Sequence, residues 1–407
     1  MESKKQYIKM FLSSLFWDRF FLLYRLYIRW RIPQIKKKEK IRVLFVLAEL
    51  SAWKTEMLYL AMKANKRFDA IIGVTTSMEV PGSKQPLVEY LKGKGYDYYD
   101  LDKSHSEIKK LKADLIFYYK PYDASYPKYI SHRRNLRPIP LFINYCFSID
   151  GEITSQYTRI RDYSWFEFVE NELVYDWRKN MLGWKASNVL ATGTPMQDIL
   201  LSGTGDGKDP WKGDENKKRI IYAPHHSIKG TNPGGIEYST ILEYGEFILE
   251  LAKKYKDAVQ FAFKPHPTLY PKLIKIWGQE RTDNYYRSWA DMENTQLELG
   301  EYSCLFKYSD ALIHDSSSFI AEYYYTHKPA MFLEVERMKT EYLTPLGFRA
   351  YENLYHAHSK DDIEGFVKDI IADRDEKFDI RESFFKEYLV PPNQRTASEN
   401  IINAILG

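Results

Sequence analysis

The feature that most constrains this chain is a repeated alternation of short apolar runs with helical segments. Continuous apolar runs at residues 43–47 and 70–74 are typical of strands buried on both faces. A helical stretch over residues 55–65 separates them. Strands that alternate with helices pair in parallel, so the pattern predicts a doubly wound α/β sheet. Further strands are predicted at 115–118 and 141–143, and helices around 87–91 and 108–111.

The alternation restarts in the second half of the chain. Strands are predicted at residues 188–191, 219–223, 260–263, 311–313 and 330–333, with a long helix over 236–255. The polar stretch 201–208 reads as a junction. We therefore predict two Rossmann-like domains, over residues 41–200 and 201–407, that face each other across a cleft. The last helices are expected to be able to cross back to the first domain.

The first forty residues predict an amphipathic membrane-surface helix followed by a basic cluster. Charged residues interrupt the aromatic stretch 7–32, whereas a spanning helix needs about 20 predominantly apolar residues. One face of the predicted helix is polar and the broad face beside it is apolar, with Ser14, Asp18, Arg25 and Arg29 on the first and Phe11, Leu15, Leu22 and Leu26 on the second. The basic cluster comprises Lys36, Lys37, Lys38 and Lys40. Such a segment binds anionic lipid; the alternative is a helix packed on the first domain with solvated lysines.

Charge and cysteine usage exclude several classes of protein. The formal net charge of +4 over 407 residues is too small to indicate nucleic-acid binding. The two cysteines, Cys146 and Cys304, are far apart and form no CxxC motif, so neither a structural zinc site nor a disulfide framework is expected. The N-terminus lacks the features of a signal peptide, and a cytoplasmic location is predicted.

Polar motifs follow four of the predicted strands, where open parallel sheets bind ligands. They cover residues 193–198, 222–227, 264–267 and 314–318. The serines Ser316, Ser317 and Ser318 open a predicted helix and could bind phosphate there. Lys264 and His266 could add contacts to a pyrophosphate without a metal ion.

Each of these residues also has an ordinary structural interpretation. Asp315 and the serines could simply cap the helix, Lys-Pro-His-Pro could form a turn, and His225 and His226 could be structural. Glu322 follows Ser318 by four residues, on the same helix face, and could accept hydrogen bonds from two vicinal hydroxyls. The occurrence of all four motifs at consecutive strand ends favours a site.

The order of these motifs resembles the CDP-glycerol glycerophosphotransferases, which build or prime teichoic acids and related capsular polymers. The matching elements are Gly-x-Pro-x-x-Asp at 193–198, Tyr-Ala-Pro at 222–224, Lys-x-His-Pro at 264–267, and Ser-Asp-x-x-Ile-x-Asp-x-Ser-Ser at 309–318 with Glu322 beyond it. The resemblance implies a GT-B architecture, with an acceptor domain over 41–200 and a nucleotide-donor domain over 201–407. It also implies attachment to the inner face of the cell membrane and no metal in the mechanism.

The sequence departs from the family pattern in two places. The His-Gly-Thr-Pro of many members, whose histidine is the proposed base, is replaced at 144–151 by Asn-Tyr-Cys-Phe-Ser-Ile-Asp-Gly. Met196 stands where an arginine is expected, and His225 and His226 add imidazoles. We therefore expect an altered donor or acceptor.

The resemblance implies attack of an acceptor hydroxyl on the β-phosphorus of a CDP-polyol, with release of CMP. No cofactor is expected beyond this donor. The acceptor would be a lipid-linked or polymeric glycan, and no nucleic-acid partner is expected. Donor contacts are assigned to Pro224, His225, Lys264, His266, Asp315, Ser316, Ser317, Ser318 and Glu322. The candidates for the base are His226, His225 and Asp150, in that order. Two alternatives stay open: a GT-B glycosyltransferase that uses a nucleotide sugar, and an inactive scaffold of an envelope-synthesis complex.

Overall fold

The structure is a computed structural model that describes residues 20, 22–151, 158–203, 207–231, 237–300, 302–334 and 343–407. The chain forms two compact units. The first comprises residues 1–198 together with 391–407, and the second comprises residues 199–390. Each unit is built on one parallel β-sheet with helices, and the predicted GT-B-like fold class is confirmed.

The first unit contains a seven-stranded parallel sheet with the strand order β3-β2-β1-β4-β5-β6-β7. Its central strand is β4, and the neighbouring β1 has Val43 opposite Ala70 on one side and Leu115 on the other. Phe45 stacks on Phe117 at 4.9 Å between ring centroids, in the core of the unit. The strands are β1 (Ile41–Leu47), β2 (Phe68–Val74), β3 (Tyr98–Asp100), β4 (Leu115–Tyr118), β5 (Ile139–Ile143), β6 (Glu167–Val169) and β7 (Val189–Ala191).

The helices of the first unit connect these strands. Helix α1 is described over residues 22–36. The others are α2 (Glu56–Ala64), α3 (Lys84–Gly93), α4 (Glu107–Lys110), α5 (Arg159–Tyr163), α6 (Glu172–Leu182) and α7 (Pro195–Leu201). Residues 11, 14, 15 and 18 of the predicted amphipathic helix lie outside the described residues.

Helix α1 has apolar residues on two opposite faces. Four apolar residues are buried in the core of the first unit, namely Tyr24, Ile28, Ile32 and Ile35. At about 100° per residue, the opposite face carries four exposed ones, namely Leu22, Leu23, Leu26 and Trp30. The packed-helix alternative therefore holds for one face, whereas the other lacks a covering element among the described residues.

The second unit contains a six-stranded parallel sheet with the order β10-β9-β8-β11-β12-β13. The strands are β8 (Lys218–Ala223), β9 (Val259–Phe263), β10 (Thr295–Leu297), β11 (Ala311–His314), β12 (Ala330–Leu333) and β13 (Tyr355–Ala357). The helices are α8 (Ile241–Lys254), α9 (Leu269–Trp277), α10 (Gln279–Asp291), α11 (Ser303–Lys307), α12 (Phe319–Glu322), α13 (Pro345–Glu352), α14 (Lys360–Ile371) and α15 (Phe378–Phe384).

The end of the chain returns to the first unit as α16 (Ala397–Leu406). The buried carboxylate of Asp198 accepts the backbone N–H groups of Ala397 at 2.7 Å and Ser398 at 2.8 Å. Gly193 has a φ of +78°, and a Cβ there would lie 2.9 Å from Ala397 and Pro391. The Gly-x-Pro-x-x-Asp motif therefore holds the last helix in place.

Candidate active site

Three of the predicted motifs meet at one edge of the second sheet. Strand β8 lies between β9 and β11, with Tyr222 opposite Phe263 and Ala223 opposite His314. Because all three strands are parallel, the residues that follow them lie at the same edge. These residues are Pro224, His225 and His226 after β8, Lys264 and His266 after β9, and Asp315 to Ser318 after β11.

His225, His226 and His266 form a cluster of imidazole rings. The ring centroid of His226 lies 4.3 Å from that of His225 and 4.2 Å from that of His266. One ring nitrogen from each residue lies within 4.8 Å of the others. The backbone supports this packing, since the His266 N–H donates to the carbonyl of Pro224 at 3.1 Å.

The three imidazoles are neutral near pH 7. Burial lowers the pKa of His225 well below its usual value, and the neighbouring His226 and His266 lower it further. Burial and the charge of Lys272 lower the pKa of His226 to about 4. Burial, His226 and Lys264 lower the pKa of His266 to about 3. Each ring therefore carries one N–H and one lone pair at neutral pH.

The hydrogen bonds of the cluster indicate which nitrogen carries the proton. The Nδ1 atom of His225 accepts the backbone N–H of Ser227, and that of His266 accepts the N–H of Thr268. The Nδ1 atom of His226 lies 2.9 Å from the Lys272 ammonium, which can only donate. All three Nδ1 lone pairs are therefore used, and the proton of each ring is on Nε2. Within the described chain, these three Nε2–H groups donate to no acceptor of another residue, and the His226 ring also interacts with its own backbone carbonyl.

Asp315 fixes the backbone of the loop that carries the cluster. Its fully buried carboxylate accepts the His225 N–H at 2.5 Å, the Thr240 N–H at 2.6 Å and the Thr240 hydroxyl at 2.8 Å. Burial raises the pKa of Asp315 to about 7, although these hydrogen bonds oppose the shift. Asp315 therefore ties the β8 loop to the residue before α8.

The serines occupy the loop between β11 and α12. Ser316 is buried, Ser317 is half-buried and Ser318 is exposed. Within the described chain, the Ser318 side chain makes no capping hydrogen bond. The alternative that this serine simply caps the helix is therefore not supported. The imidazole Nδ1 of His314 lies 3.0 Å from the Ser316 carbonyl, which fixes the loop.

Glu322 is the last residue of α12. Its side chain is buried, and the Tyr302 hydroxyl donates to its carboxylate at 2.5 Å. Lys264 is also buried, and its backbone N–H donates to the Tyr222 carbonyl at 2.8 Å.

Asp150, the third candidate for the base, belongs to the first unit. It is half-buried in the segment that follows β5. This segment is anchored where the Ser148 N–H donates to the buried Glu170 carboxylate at 2.7 Å. Burial raises the pKa of Glu170.

Sequence reasoning missed Lys272, Thr268 and Tyr302. Lys272 and Thr268 contact the imidazole cluster, and Tyr302 contacts Glu322. Lys272 lies on α9, directly after Lys-Pro-His-Pro, and this position in the sequence was the available signal. Its direction toward His226 depends on the folded backbone.

A groove of about 380 Å³ lies elsewhere in the second unit. Residues of α13, of α15 and of the segments next to them line it, including Arg349, Asn353, Asp379 and Ser383. The imidazole cluster and Lys264 do not line this groove.

The two parallel sheets define a GT-B-like α/β protein. The histidines and Lys264 at the strand ends of the second sheet form a candidate phosphate site. Residues 150–407 match the family described as CDP-Glycerol:Poly(glycerophosphate) glycerophosphotransferase. Because this match covers more than half of the chain, the protein belongs to that family, and it is an enzyme of the glycerophosphotransferase type. A search of curated protein sequences gives no match.

Solved structures with the same fold include two kinds of enzyme. The wall teichoic acid polymerase TagF, in a histidine variant soaked with CDPG, has a TM-score of 0.58 and 16% identity, covering 91% of this chain and 89% of that one. The S. aureus MnaA–UDP co-structure has a TM-score of 0.60 and 17% identity, covering 90% and 96%. The UDP-GlcNAc 2-epimerase from Neisseria meningitidis bound to UDP-GlcNAc has a TM-score of 0.58 and 16% identity, covering 90% and 99%. At these identities the likeness shows the fold alone.

Among the described residues, none of the helices has the length and apolar character needed to cross a bilayer.

Proposed function

We propose that this enzyme transfers a polyol phosphate, of the glycerol- or ribitol-phosphate type, from a CDP-activated donor to a glycan hydroxyl. The acceptor is a cell-envelope or capsular glycan or its lipid-linked precursor, and CMP is released. The observation that carries the proposal is the imidazole cluster of His225, His226 and His266 beside Lys264 at the strand ends of the second unit.

The cluster suits the donor pyrophosphate. Three Nε2–H groups and the Lys264 ammonium offer preorganised donors at a site already removed from water. Neutral imidazoles do not repel one another, so the protein can group three of them without charge repulsion. Ser317 and Ser318 add hydroxyls from the neighbouring loop, and Ser316 adds its own from a buried position.

The remaining donor contacts follow from their positions. Pro224 and the ring of His225 form a wall for the nucleotide, and Glu322 accepts hydrogen bonds from hydroxyls of the donor. Asp315 acts through His225 and Thr240, because its carboxylate oxygens already bind those residues. We therefore assign Asp315 a positioning role.

The same three nitrogens have the spacing of a metal site. The Lys272 ammonium lies 2.9 Å from Nδ1 of His226, and its positive charge opposes the binding of a cation at the same cluster. The arrangement therefore favours an anion over a cation, which supports the proposed metal-free mechanism.

The base was predicted to be His226, then His225, then Asp150. A general base needs a free lone pair and a pKa near the working pH. The Lys272 ammonium on Nδ1 and a pKa of about 4 make His226 better suited to donate a hydrogen bond than to accept a proton. We therefore propose Asp150, in the segment that replaces His-Gly-Thr-Pro, as the base.

In the chemical step, the acceptor oxygen forms a bond to the β-phosphorus as the bond from that phosphorus to the bridging oxygen breaks. The hydroxyl proton goes to the base, and CMP leaves with the bridging oxygen. Negative charge grows on that oxygen, and the hydrogen-bond donors around the pyrophosphate stabilise it. Alignment and charge stabilisation are the main demands of phosphoryl transfer.

The exposed face of α1 supports peripheral attachment to the inner face of the cell membrane. Leu23 and Trp30 are 65% and 64% exposed, with Leu22 and Leu26 on the same face. Lys37 and Lys40 are exposed nearby, whereas Lys38 pairs with the buried Asp114 at 2.6 Å. An apolar strip beside exposed lysines suits an anionic bilayer surface.

A donor screen tests the proposed function. The purified protein is incubated with CDP-glycerol, CDP-ribitol and common nucleotide sugars, and the released nucleotide is identified. We expect CMP from a CDP-polyol. Release of a nucleotide from a sugar donor alone would establish the glycosyltransferase alternative, and binding without turnover of any donor would establish the scaffold.

A further inference from the structure

The carboxyl edge of the first sheet carries a second polar cluster, which the donor site does not use. Its members follow adjacent strands: Ser77 and Glu79 come after β2, Glu49 after β1, and Lys120 after β4. The Lys120 ammonium lies 2.5 Å from the Glu49 carboxylate and 2.6 Å from that of Glu79. The hydroxyls of Ser77 and Ser125 donate to Glu49 and Glu79, each at 2.5 Å.

This ion-pair network is mostly buried, and it has one accessible side. Glu49 and Lys120 are each 6% exposed, whereas Glu79 is 38% exposed. Placing such charges in the interior costs desolvation energy, and apolar replacements of buried ion pairs are often neutral or stabilising. Its position at strand ends, where parallel sheets bind ligands, therefore favours a functional role.

Glu79 has hydrogen-bonding capacity left for a ligand. One of its carboxylate oxygens accepts from Lys120 and the other from Ser125. A carboxylate offers about four lone-pair sites in all, so about two remain on the exposed side. Two vicinal hydroxyls of a sugar or polyol could donate to them.

An aromatic ring from the next strand completes the cluster. Tyr145 follows β5, in the segment that replaces His-Gly-Thr-Pro, and the Lys120 ammonium lies 5.7 Å from its ring centroid. The half-buried Tyr145 ring and the exposed Tyr122 give apolar surface beside the carboxylates, as aromatic side chains with a polar end often do at binding sites.

The charge of the network distinguishes between possible ligands. Two carboxylates and one ammonium leave one net negative charge, on Glu49, Glu79 and Lys120 together. A phosphate would meet this charge unfavourably, whereas neutral hydroxyls donate to it. The donor edge of the second unit, with Lys264, Lys272 and three imidazoles, has the opposite character.

We propose that Glu79, Glu49 and Lys120 bind the accepting unit of the glycan, and that they select an uncharged polyhydroxyl group over a phosphate-bearing one. The inference rests on the proposed transfer reaction and adds the residues and the chemical class of the acceptor.

Two soluble acceptors and two matched variants test it. The acceptors are an alkyl glucoside and an alkyl glycerol phosphate with the same chain. The variants are Glu79→Gln and Asp69→Asn; Asp69 is also 38% exposed and ion-paired, with Arg42, but it lies at the amino end of β2. We expect the wild type to have the higher kcat/KM with the glucoside, and Glu79→Gln to raise the KM for it at least tenfold. Asp69→Asn should leave that KM unchanged.

A charge reversal gives a second measurement. Glu79→Lys should shift the ratio of kcat/KM values toward the glycerol phosphate, because the network then carries a net positive charge. The inference is overturned if Glu79→Gln behaves like Asp69→Asn, if the wild type prefers the phosphate, or if it binds CDP-glycerol yet uses neither acceptor. Failure of the wild type to bind CDP-glycerol would instead contradict the proposed function.

Discussion

At the scale of single residues, the protein sets the protonation of three histidines by where their Nδ1 atoms lie. Two backbone N–H groups and one ammonium occupy these atoms, at His225, His266 and His226 respectively. The sequence showed histidines after two strands, and it could show no more. Ring direction and hydrogen-bond partners depend on the folded loops, so the ring protons could be assigned to Nε2 only from the structure.

The proposed binding of the donor pyrophosphate predicts a specific kinetic effect for His226 and His266. Replacing either with alanine should lower turnover by about 10² and weaken CDP-polyol binding, as loss of a preorganised charge-stabilising group does. The matched control is His358→Ala, an exposed histidine of the same unit, which should change neither quantity. If His226→Ala keeps full donor affinity but loses transfer and the acidic limb of the pH–rate profile, His226 is the base after all.

The lowered pKa values also predict how stability changes with pH. A histidine whose folded pKa lies below its unfolded value binds fewer protons when folded, so the free energy of unfolding falls as pH falls. For His266 and His226 the loss occurs between about pH 6.5 and their folded values of about 3 and 4. The melting temperature of His266→Gln should therefore fall less between pH 7 and pH 4.5 than that of the wild type. An identical fall in both proteins would show that His266 is not desolvated.

At the scale of elements, strands with a continuous apolar run were predictable, whereas four strands of three residues were not. The run 115–118 matches β4 (Leu115–Tyr118), and the run 330–333 matches β12. The three-residue strands β3, β6, β10 and β13 were missed. Strand β6 contains the buried Glu167, which pairs with Arg161 and Arg178, so a charged residue interrupts its apolar pattern. The predicted helix 236–255 begins later, at Ile241, because the Thr240 N–H donates to Asp315 and the Tyr238 N–H donates to the Ser227 hydroxyl instead.

The exposed apolar face of α1 predicts an effect on membrane binding. The exposed side chains Leu23 and Trp30 should enter the bilayer surface, where each contributes about 1.5 kcal/mol or more. The double change Leu23→Ser with Trp30→Ser should lower co-sedimentation with anionic vesicles at least tenfold without unfolding the protein. The control is Leu299→Ser, since Leu299 is 64% exposed in the second unit. Equal vesicle binding by both proteins would contradict the membrane role of α1.

At the scale of the whole molecule, the chain end completes the first unit. Ile401 and Ile405 of α16 lie in the core that β1 and β4 also form. The connection between Asp198 and Ser398 spans 200 residues, and such a contact leaves no local pattern in a single sequence. The motif that resembled the family was readable there, whereas its structural purpose was not.

This connection predicts a large effect on stability. Asp198→Ala leaves the buried N–H groups of Ala397 and Ser398 without their acceptor, which should cost about 2–3 kcal/mol. Asp214→Ala is the control, because Asp214 is exposed and, among the described residues, its carboxylate accepts hydrogen bonds only from Asn216; it should cost under about 0.5 kcal/mol. Urea unfolding of both variants measures the difference, and similar midpoints would show that Asp198 does not hold α16.

The central claim is that the enzyme moves a polyol phosphate by cleaving the pyrophosphate of a CDP-polyol. The most direct measurement is a ³¹P NMR time course of the purified protein with CDP-glycerol and an alkyl glucoside. Both pyrophosphate resonances should disappear together, replaced by the phosphomonoester of CMP and by one phosphodiester. An unchanged pyrophosphate, or conversion into two phosphomonoesters by hydrolysis alone, would contradict the claim.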